Sequence, residues 1–314
     1  MNIVFDMVSC GMGNNGGTRT IIKCAQALEN IGHKCDIVSP VDKFTWFKHK
    51  KPILSVPNDT DIAIATGCTT VASTLSAYVP YRVWYIRGHE TWNYDESTLG
   101  HLYNQPLINI TNSYGLKVKV ESFGAEAQVV HQGIDLDEWG GIERRGPKKR
   151  IGCLYQKKPT KRWKDFVKLS KILGQEKYEY LGIGETARND EFLHDYVYNS
   201  GSEALRDLYS TCDIWLVPTE LEGLHNPPME AALCGALIVC NDHPMNGICM
   251  DYGFDDTAMV YRHRDIEHAA ELIRNADWFK VDRMKRFLVN DIGSREKNME
   301  KFIRVVTGDN NDNN

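Results

Sequence analysis

Short β-rich apolar runs recur along the chain and alternate with longer stretches whose apolar positions return every three or four residues. That alternation predicts a parallel sheet of buried strands covered by crossover helices. "NIVFDMV", "KCDIVS", "DIAIAT", "YRVWYIR", "LINIT" and "AQVVHQG" read as the strands of a first sheet. "RIGCLY", "YEYLGIG", "YVYNSG", "DIWLVPT", "ALIVCND" and "TAMVYR" read as those of a second. The basic, glycine- and proline-containing stretch "GGIERRGPKKR" at 140–150 lies between the two sets and predicts an interdomain linker. The expected fold class is α/β, with two Rossmann-like lobes, residues 1–143 and 144–293, joined there and leaving a cleft between them. A final helix over about 294–306 carries Met299, Phe302, Ile303 and Val306 on one face, which could pack back on the first lobe. The polar tail 307–314 is expected to be disordered.

A length of 314 residues supports two domains of about 150 residues each. Apolar and charged shares of 42% and 25% are those of an ordinary globular protein, and no run approaches the roughly 18 apolar residues of a membrane span. The start "MNIVFDMVS" lacks the pattern of a signal peptide, and nine cysteines without a C-x-x-C pair fit reduced thiols. Both point to a cytoplasmic location. A net charge of −5 argues against a dedicated nucleic-acid binder, whose affinity comes largely from neutralising phosphates.

Gly11, Gly13 and Gly16 spell G-x-G-x-x-G between the first strand and the helix "TRTIIKCAQALENIG". Thr18 is the expected N-cap of that helix, Ile21, Ile22, Ala25 and Leu28 its buried side, and Gly32 its stop. Gly16 and Gly17 let backbone approach a ligand closely at a helix N-terminus, which suits a dinucleotide or a sugar nucleotide. The dinucleotide reading needs an acid at the carboxyl end of the second strand. Asp36 falls at the beginning of that strand and Asp42 comes late.

The stretch "DIWLVPTELEGLHNPPMEAALCGALIVCNDHP" is more informative. A strand ends at Pro218, a loop carries Glu222, and a short helix with Asn226 as N-cap and Pro227 at its first position carries Glu230 and stops at Gly235. Two acids on a loop and a helix turn can reach one ligand from different directions, and backbone N–H groups of Gly223, Leu224, His225 and Asn226 offer an anion site between them. Carboxylates accept from vicinal hydroxyls, so a ligand with a sugar at each end and phosphates in the middle fits.

The E-x7-E spacing in "PTELEGLHNPPMEAALCGALIV" resembles the donor-site signature of glycosyltransferase family 4, retaining enzymes of the GT-B fold. "GGTRTIIKCAQALENIGHKCDIV" is similar to that family's first Gly-Gly loop and helix, "VVHQGIDLDEW" to its segment before the linker, and "SEALRDLYSTCDIWLVPT" to the approach to the signature. Leu224, His225 and Asn226 replace the usual Phe-Gly-Leu. The resemblance implies an acceptor-side first lobe and a donor-binding second lobe. Glu230 would hold ribose, Glu222 the sugar, and the 223–226 loop the diphosphate, with Gly16 and Gly17 approaching the phosphates from the other lobe. It also implies an Arg and a Lys after the first strand of the second lobe. In "RIGCLYQKKPTKRWKDF" either Cys153 or Gln156 stands where the Arg is expected, and Lys158 or Lys161 supplies the lysine. Lys161 is favoured, with Thr160 as N-cap and Lys161 opening the helix, and Lys157 could cover for the lost Arg. His89, after the strand "YRVWYIR", matches a histidine near the transferred sugar, with Arg87 and Glu90 as weaker neighbours.

No cluster has metal-ligand spacing, so neither metal nor cofactor is expected, in agreement with the resemblance. The stretch "DKFTWFKHKKP" mixes aromatics and lysines, compatible with lipid or acceptor contact, but a half-buried connector is favoured and no membrane site is assigned. The expected activity is retaining, metal-independent transfer of a hexose or pentose from a UDP- or GDP-sugar to a glycan or other hydroxyl acceptor. The alternatives are a catalytically idle nucleotide-sugar-binding module and an NAD-dependent oxidoreductase.

Overall fold

The computed structural model describes residues 1–141, 147–245, 251 and 254–309. The chain divides into two compact units, Met1–Gly133 with the segment from Ser294 onward, and Ile134–Gly293. The first contains β1 (Asn2–Asp6), α1 (Gly16–Asn30), β2 (Lys34–Val38), β3 (Ile62–Ala65), α2 (Val71–Ser76), β4 (Tyr81–Ile86), α3 (Glu96–Tyr103), β5 (Ile108–Thr111), α4 (Tyr114–Glu121) and β6 (Gln128–Val129). The second contains β7 (Lys149–Tyr155), α5 (Trp163–Leu173), β8 (Tyr178–Gly184), β9 (Asp195–Tyr198), α6 (Ser202–Thr211), β10 (Ile214–Val217), α7 (Asn226–Leu233), β11 (Leu237–Asn241), α8 (Phe254–Thr257), β12 (Met259–Tyr261), α9 (Ile266–Arg274) and α10 (Phe279–Phe287). Helix α11 (Arg295–Thr307) returns to the first unit.

Each unit has a six-stranded sheet whose pairings are all parallel, in the orders β2-β1-β3-β4-β5-β6 and β12-β11-β10-β7-β8-β9. Strand direction of travel reverses between β1 and β3 in one sheet and between β7 and β10 in the other. In open α/β sheets such switch points open crevices at the carboxyl ends of the strands, where ligands bind.

The apolar runs form strands because both faces are covered. Successive residues of β10 alternate between two cores: Trp215 and Val217 pack with Tyr209 and Met229, while Ile214 and Leu216 pack with Phe166 and Ile273. Each of these fully buried aliphatic side chains contributes about 2 kcal/mol. Gly152 on β7 makes room for the Trp215 ring, since a Cβ there would stand 2.5 Å from it. In the first unit Ile21, Ile22, Ala25 and Leu28 of α1 share a core with Met299, Phe302 and Val306 of α11. Gly133 combines a φ of +67° with a position where a Cβ would lie 2.5 Å from the Ser294 carbonyl, so only glycine lets the two strands of chain pass.

Several local expectations are corrected. The division between units falls at Gly133 and not at 143, because Ile134 and Trp139 pack with Tyr209 and Trp215 in the core of the second unit. Asn15, not Thr18, caps α1: its backbone is extended and its side chain accepts from the Thr18 N–H at 2.8 Å. Gly16 and Gly17 are helical, so the cap moves three residues earlier. The run expected as a sixth strand pairs only over Gln128–Val129. Residues 142–146 of the expected linker and 310–314 of the expected tail lie outside the described residues, while Thr307 belongs to α11. In the aromatic connector Phe44 is buried and Trp46 and Phe47 pack against the same core. Lys50 there binds Asp36 at 2.7 Å, so the acid weighed for a ribose is held by a lysine at β2.

Candidate functional site

The switch point of the second unit lies between the loop after β7 and the loop after β10. β7 leads into a 3-10 turn, Pro159–Lys161, then Arg162 in left-handed conformation, then α5. Lys161 therefore lies in this turn and does not open the helix, and Thr160 is not its N-cap. A proline at the start and a left-handed exit confine the turn to three residues. Its side chain makes an ion pair and hydrogen bond with Glu222 Oε1, with side chains only 10% and 14% exposed.

Glu222 is held from several sides. Thr219 Oγ1 donates to its Oε1 at 3.2 Å, and His225 Nε2 stands 3.3 Å from the same oxygen. Its backbone N–H donates to the Met245 carbonyl at 2.8 Å, tying the loop to the chain after β11. Asn241 Nδ2 donates to the Thr219 carbonyl at 3.0 Å. Burial raises the Glu222 carboxyl, but His225, Lys161 and Thr219 together bring it below the ordinary carboxylate range. Burial, seconded by Lys161, lowers the His225 imidazole to about 4 against the pull of Glu222. His225 is thus uncharged at neutral pH, and the cation that keeps Glu222 ionised there is Lys161.

Helix α7 starts at Asn226, with His225 in the N-cap position and no side-chain cap. Asn226 is thus inside the helix and not its cap. Pro227 and Pro228 follow and carry no N–H, so the backbone N–H groups at this end of the helix are those of the 223–226 turn. Leu224 points into the core, leaving only its backbone for a ligand. Glu230 is 3% exposed and accepts from the Tyr209 hydroxyl at 3.0 Å. Tyr209 is in turn fixed edge-on against Trp215, ring centroids 5.0 Å apart. The two acids therefore belong to different supports, Glu222 to the switch-point loops and Glu230 to α6.

Around this centre the other expected residues separate. Cys153 is fully buried within β7, whereas Gln156 lies on the loop and donates to Glu185 at 3.3 Å. Of the two places weighed for an arginine, only that of Gln156 is open to a ligand. Lys157 is exposed and makes no ion pair among the described residues. Lys161, not Lys158, is the lysine that meets Glu222.

In the first unit Gly16 and Gly17 form the exposed first turn of α1. Among the described residues, a Cβ at Gly16 would meet nothing within 4 Å. Arg87 braces the turn, donating to the Gly17 carbonyl at 2.8 Å and the Thr66 carbonyl at 2.9 Å. His89 is 4% exposed, with Nδ1 3.0 Å from the Tyr103 hydroxyl and Nε2 3.0 Å from Glu96 Oε1. Both ring nitrogens are engaged inside the fold.

Thr219, which meets Glu222, and Glu220, on which Arg162, His263 and Arg264 converge, are not among the residues expected from the sequence. Thr219 had a local signal, a hydroxyl directly after a strand and three residues before the acid. The others come from three separate loops and had none. Among the described residues no group of three or more His, Cys, Asp or Glu is placed to hold a metal ion, and no helix is long and apolar enough to cross a membrane.

No protein-family model matches the sequence, and no curated protein matches it. Solved structures do match in fold. Sucrose-phosphate synthase from Thermosynechococcus elongatus superposes with a TM-score of 0.78 at 12% identity, covering 98% of both chains. HepE of Anabaena, solved in complex with UDP-glucose, gives 0.75 at 12% identity over 98% of this chain and 100% of that one. A glycosyltransferase from Rickettsia africae gives 0.75 at 13% identity over 98% of both. The fold is that of GT-B glycosyltransferases.

Proposed function

We propose that the chain is a glycosyltransferase that moves a sugar from a UDP- or GDP-linked donor to a hydroxyl of a glycan or other acceptor, with retention of anomeric configuration and without a metal. The observation that carries the reading is the Lys161–Glu222 pair at the switch point of the second sheet, followed eight residues later by the buried Glu230. HepE, which shares the fold, binds UDP-glucose.

In this reading Glu222 accepts hydrogen bonds from hydroxyls of the transferred sugar and Glu230 from those of the ribose. Lys161 leaves Glu222 for the diphosphate, joined there by N–H groups of the 223–226 turn. The bond between the anomeric carbon and the phosphate oxygen breaks with its electron pair going to that oxygen. Lys161 stabilises the charge that develops. The acceptor oxygen bonds to the anomeric carbon on the same face, and its proton passes to the leaving phosphate oxygen. His89, with both nitrogens engaged, is assigned to support the loop after β4 and not to proton transfer.

A thermal-shift series with UDP, GDP, their sugars and NAD tests the assignment. One nucleoside diphosphate series should raise Tm. A rise with NAD alone would make the chain an oxidoreductase. A second reading, an idle binding module, is favoured by Gln156 standing at the open position where an arginine is expected. It predicts binding without release of UDP or GDP, whereas the enzyme releases one of them and yields a product whose anomeric carbon shows retention by NMR.

A further inference from the structure

Beside the Lys161–Glu222 pair stands a cluster that the proposed reaction does not use. Glu220 has a side chain 15% exposed, and its carboxylate gathers cations from two other loops. Arg264 Nε and His263 Nε2 donate to Oε1 at 2.8 and 2.9 Å, both from the turn after β12. Arg162 Nε, from the turn between β7 and α5, lies 3.5 Å from the same oxygen. The Glu220 backbone N–H donates to the Thr160 carbonyl at 2.8 Å, and Thr219 Oγ1 stands 3.2 Å from that carbonyl oxygen. Glu220 thus touches the residues on both sides of Lys161.

Backbone geometry marks the same place. Among the described residues, the non-glycine residues at left-handed φ are Arg162 at 56°, Asn199 at 47° and Arg264 at 65°. Such backbone is costly for a residue with a Cβ and persists where the surroundings over-determine it. Both arginines place their guanidinium on Glu220, and Arg162 also forks onto Asp165 at 2.8 and 3.0 Å. One carboxylate therefore clamps two strained turns, one of which presents Lys161.

We infer that Glu220 is a positioning residue for Lys161, holding the Pro159–Lys161 turn so that the ammonium is aimed at Glu222 and at the phosphates of the donor. The inference rests on the proposed function. A lysine acts as a point charge on a long flexible stem, so its reach is set by where the turn starts that stem, and a small shift there weakens its hold on a phosphate.

The test uses the full chain, with UDP and GDP as probes in calorimetry, and release of UDP or GDP from the matching sugar nucleotide as the rate. Lys161→Ala should weaken nucleoside diphosphate binding by about tenfold or more, the loss of one charge-assisted contact. Glu220→Gln, which keeps shape and removes charge, should weaken it by about three- to tenfold and lower the release rate. In the double variant Glu220→Gln should add nothing to the effect of Lys161→Ala, because the two act through one contact. Arg162→Gly, at ease in a left-handed backbone, should fold and show the same weakened binding. Additive effects, or a lowered Tm with unchanged affinity and rate, would overturn the positioning role. If the wild type binds neither UDP nor GDP, the functional reading itself fails. If it binds one and Lys161→Ala has no effect, the assignment of Lys161 fails and this inference with it.

Discussion

Lys161 and Glu222, 61 positions apart in sequence, form an ion pair where the β7–α5 turn meets the β10–α7 loop. Both side chains are nearly enclosed, so water screens the attraction between the two charges little. Such a pair contributes modestly to stability while whole and is costly to break, since removing one partner strands the other charge.

Lys161→Ala or Glu222→Ala alone should therefore destabilise the protein by about 3 kcal/mol, while Lys161→Met with Glu222→Leu should recover most of that loss. Urea denaturation read by far-UV circular dichroism measures it. Turnover should fall by about a hundredfold or more in all three variants. Equal stability losses in the double and the single variants would contradict the pairing.

His225 gives a pH dependence. Its folded pKa, about 4, lies below the unfolded value of 6.5, so the unfolded chain binds the proton more readily. The sign follows: the stability associated with neutral His225 is complete above pH 6.5 and is lost as pH falls toward 4, a change on the order of 3 kcal/mol. His225→Gln should flatten the slope of unfolding free energy between these two values. A slope unchanged from wild type would show that some other group titrates.

His89 should behave as a structural residue. Its bonds to Tyr103 and Glu96 are each 3.0 Å, and its ring stacks on Tyr103 and Phe123. His89→Ala should lower stability by about 2 kcal/mol by leaving the buried Tyr103 hydroxyl without this partner. Thermal melting and turnover, measured together below the melting range, decide the matter. An intact melting curve with turnover lost would make the imidazole catalytic.

Glu230 and Tyr209 form the second support, at 3.0 Å. Glu230→Gln should weaken binding of whichever nucleoside diphosphate binds by about tenfold. It should leave the 2′,3′-dideoxy analogue of that nucleotide unaffected, because that analogue lacks the hydroxyls Glu230 would hold. Calorimetry with both ligands makes the comparison. Equal weakening of the two would place Glu230 away from the ribose.

The strands were legible because a strand covered on both faces must be apolar almost throughout, as "DIWLVPT" is around β10. The E-x7-E spacing was legible for the same kind of reason, being set within one loop and one helix turn. Cap positions were not. Around Asn15-Gly16-Gly17-Thr18 both Asn and Thr can cap, and the choice depended on whether two glycines joined the helix. The 3-10 turn that carries Lys161 was hidden in the same way, since Thr160 reads as a cap until the left-handed Arg162 is seen.

The amino-acid order alone determined the alternation of strand and helix, the two-sheet organisation and the pair of acids, because each follows from periodicity or spacing within a few residues. Tertiary structure alone decided that Lys161 is the partner of Glu222, that His225 is neutral, that His89 has both nitrogens occupied, and that Glu220 joins three loops. Those are properties of charges and donors brought together across distant segments, and their energies depend on burial and separation, which local patterning does not encode.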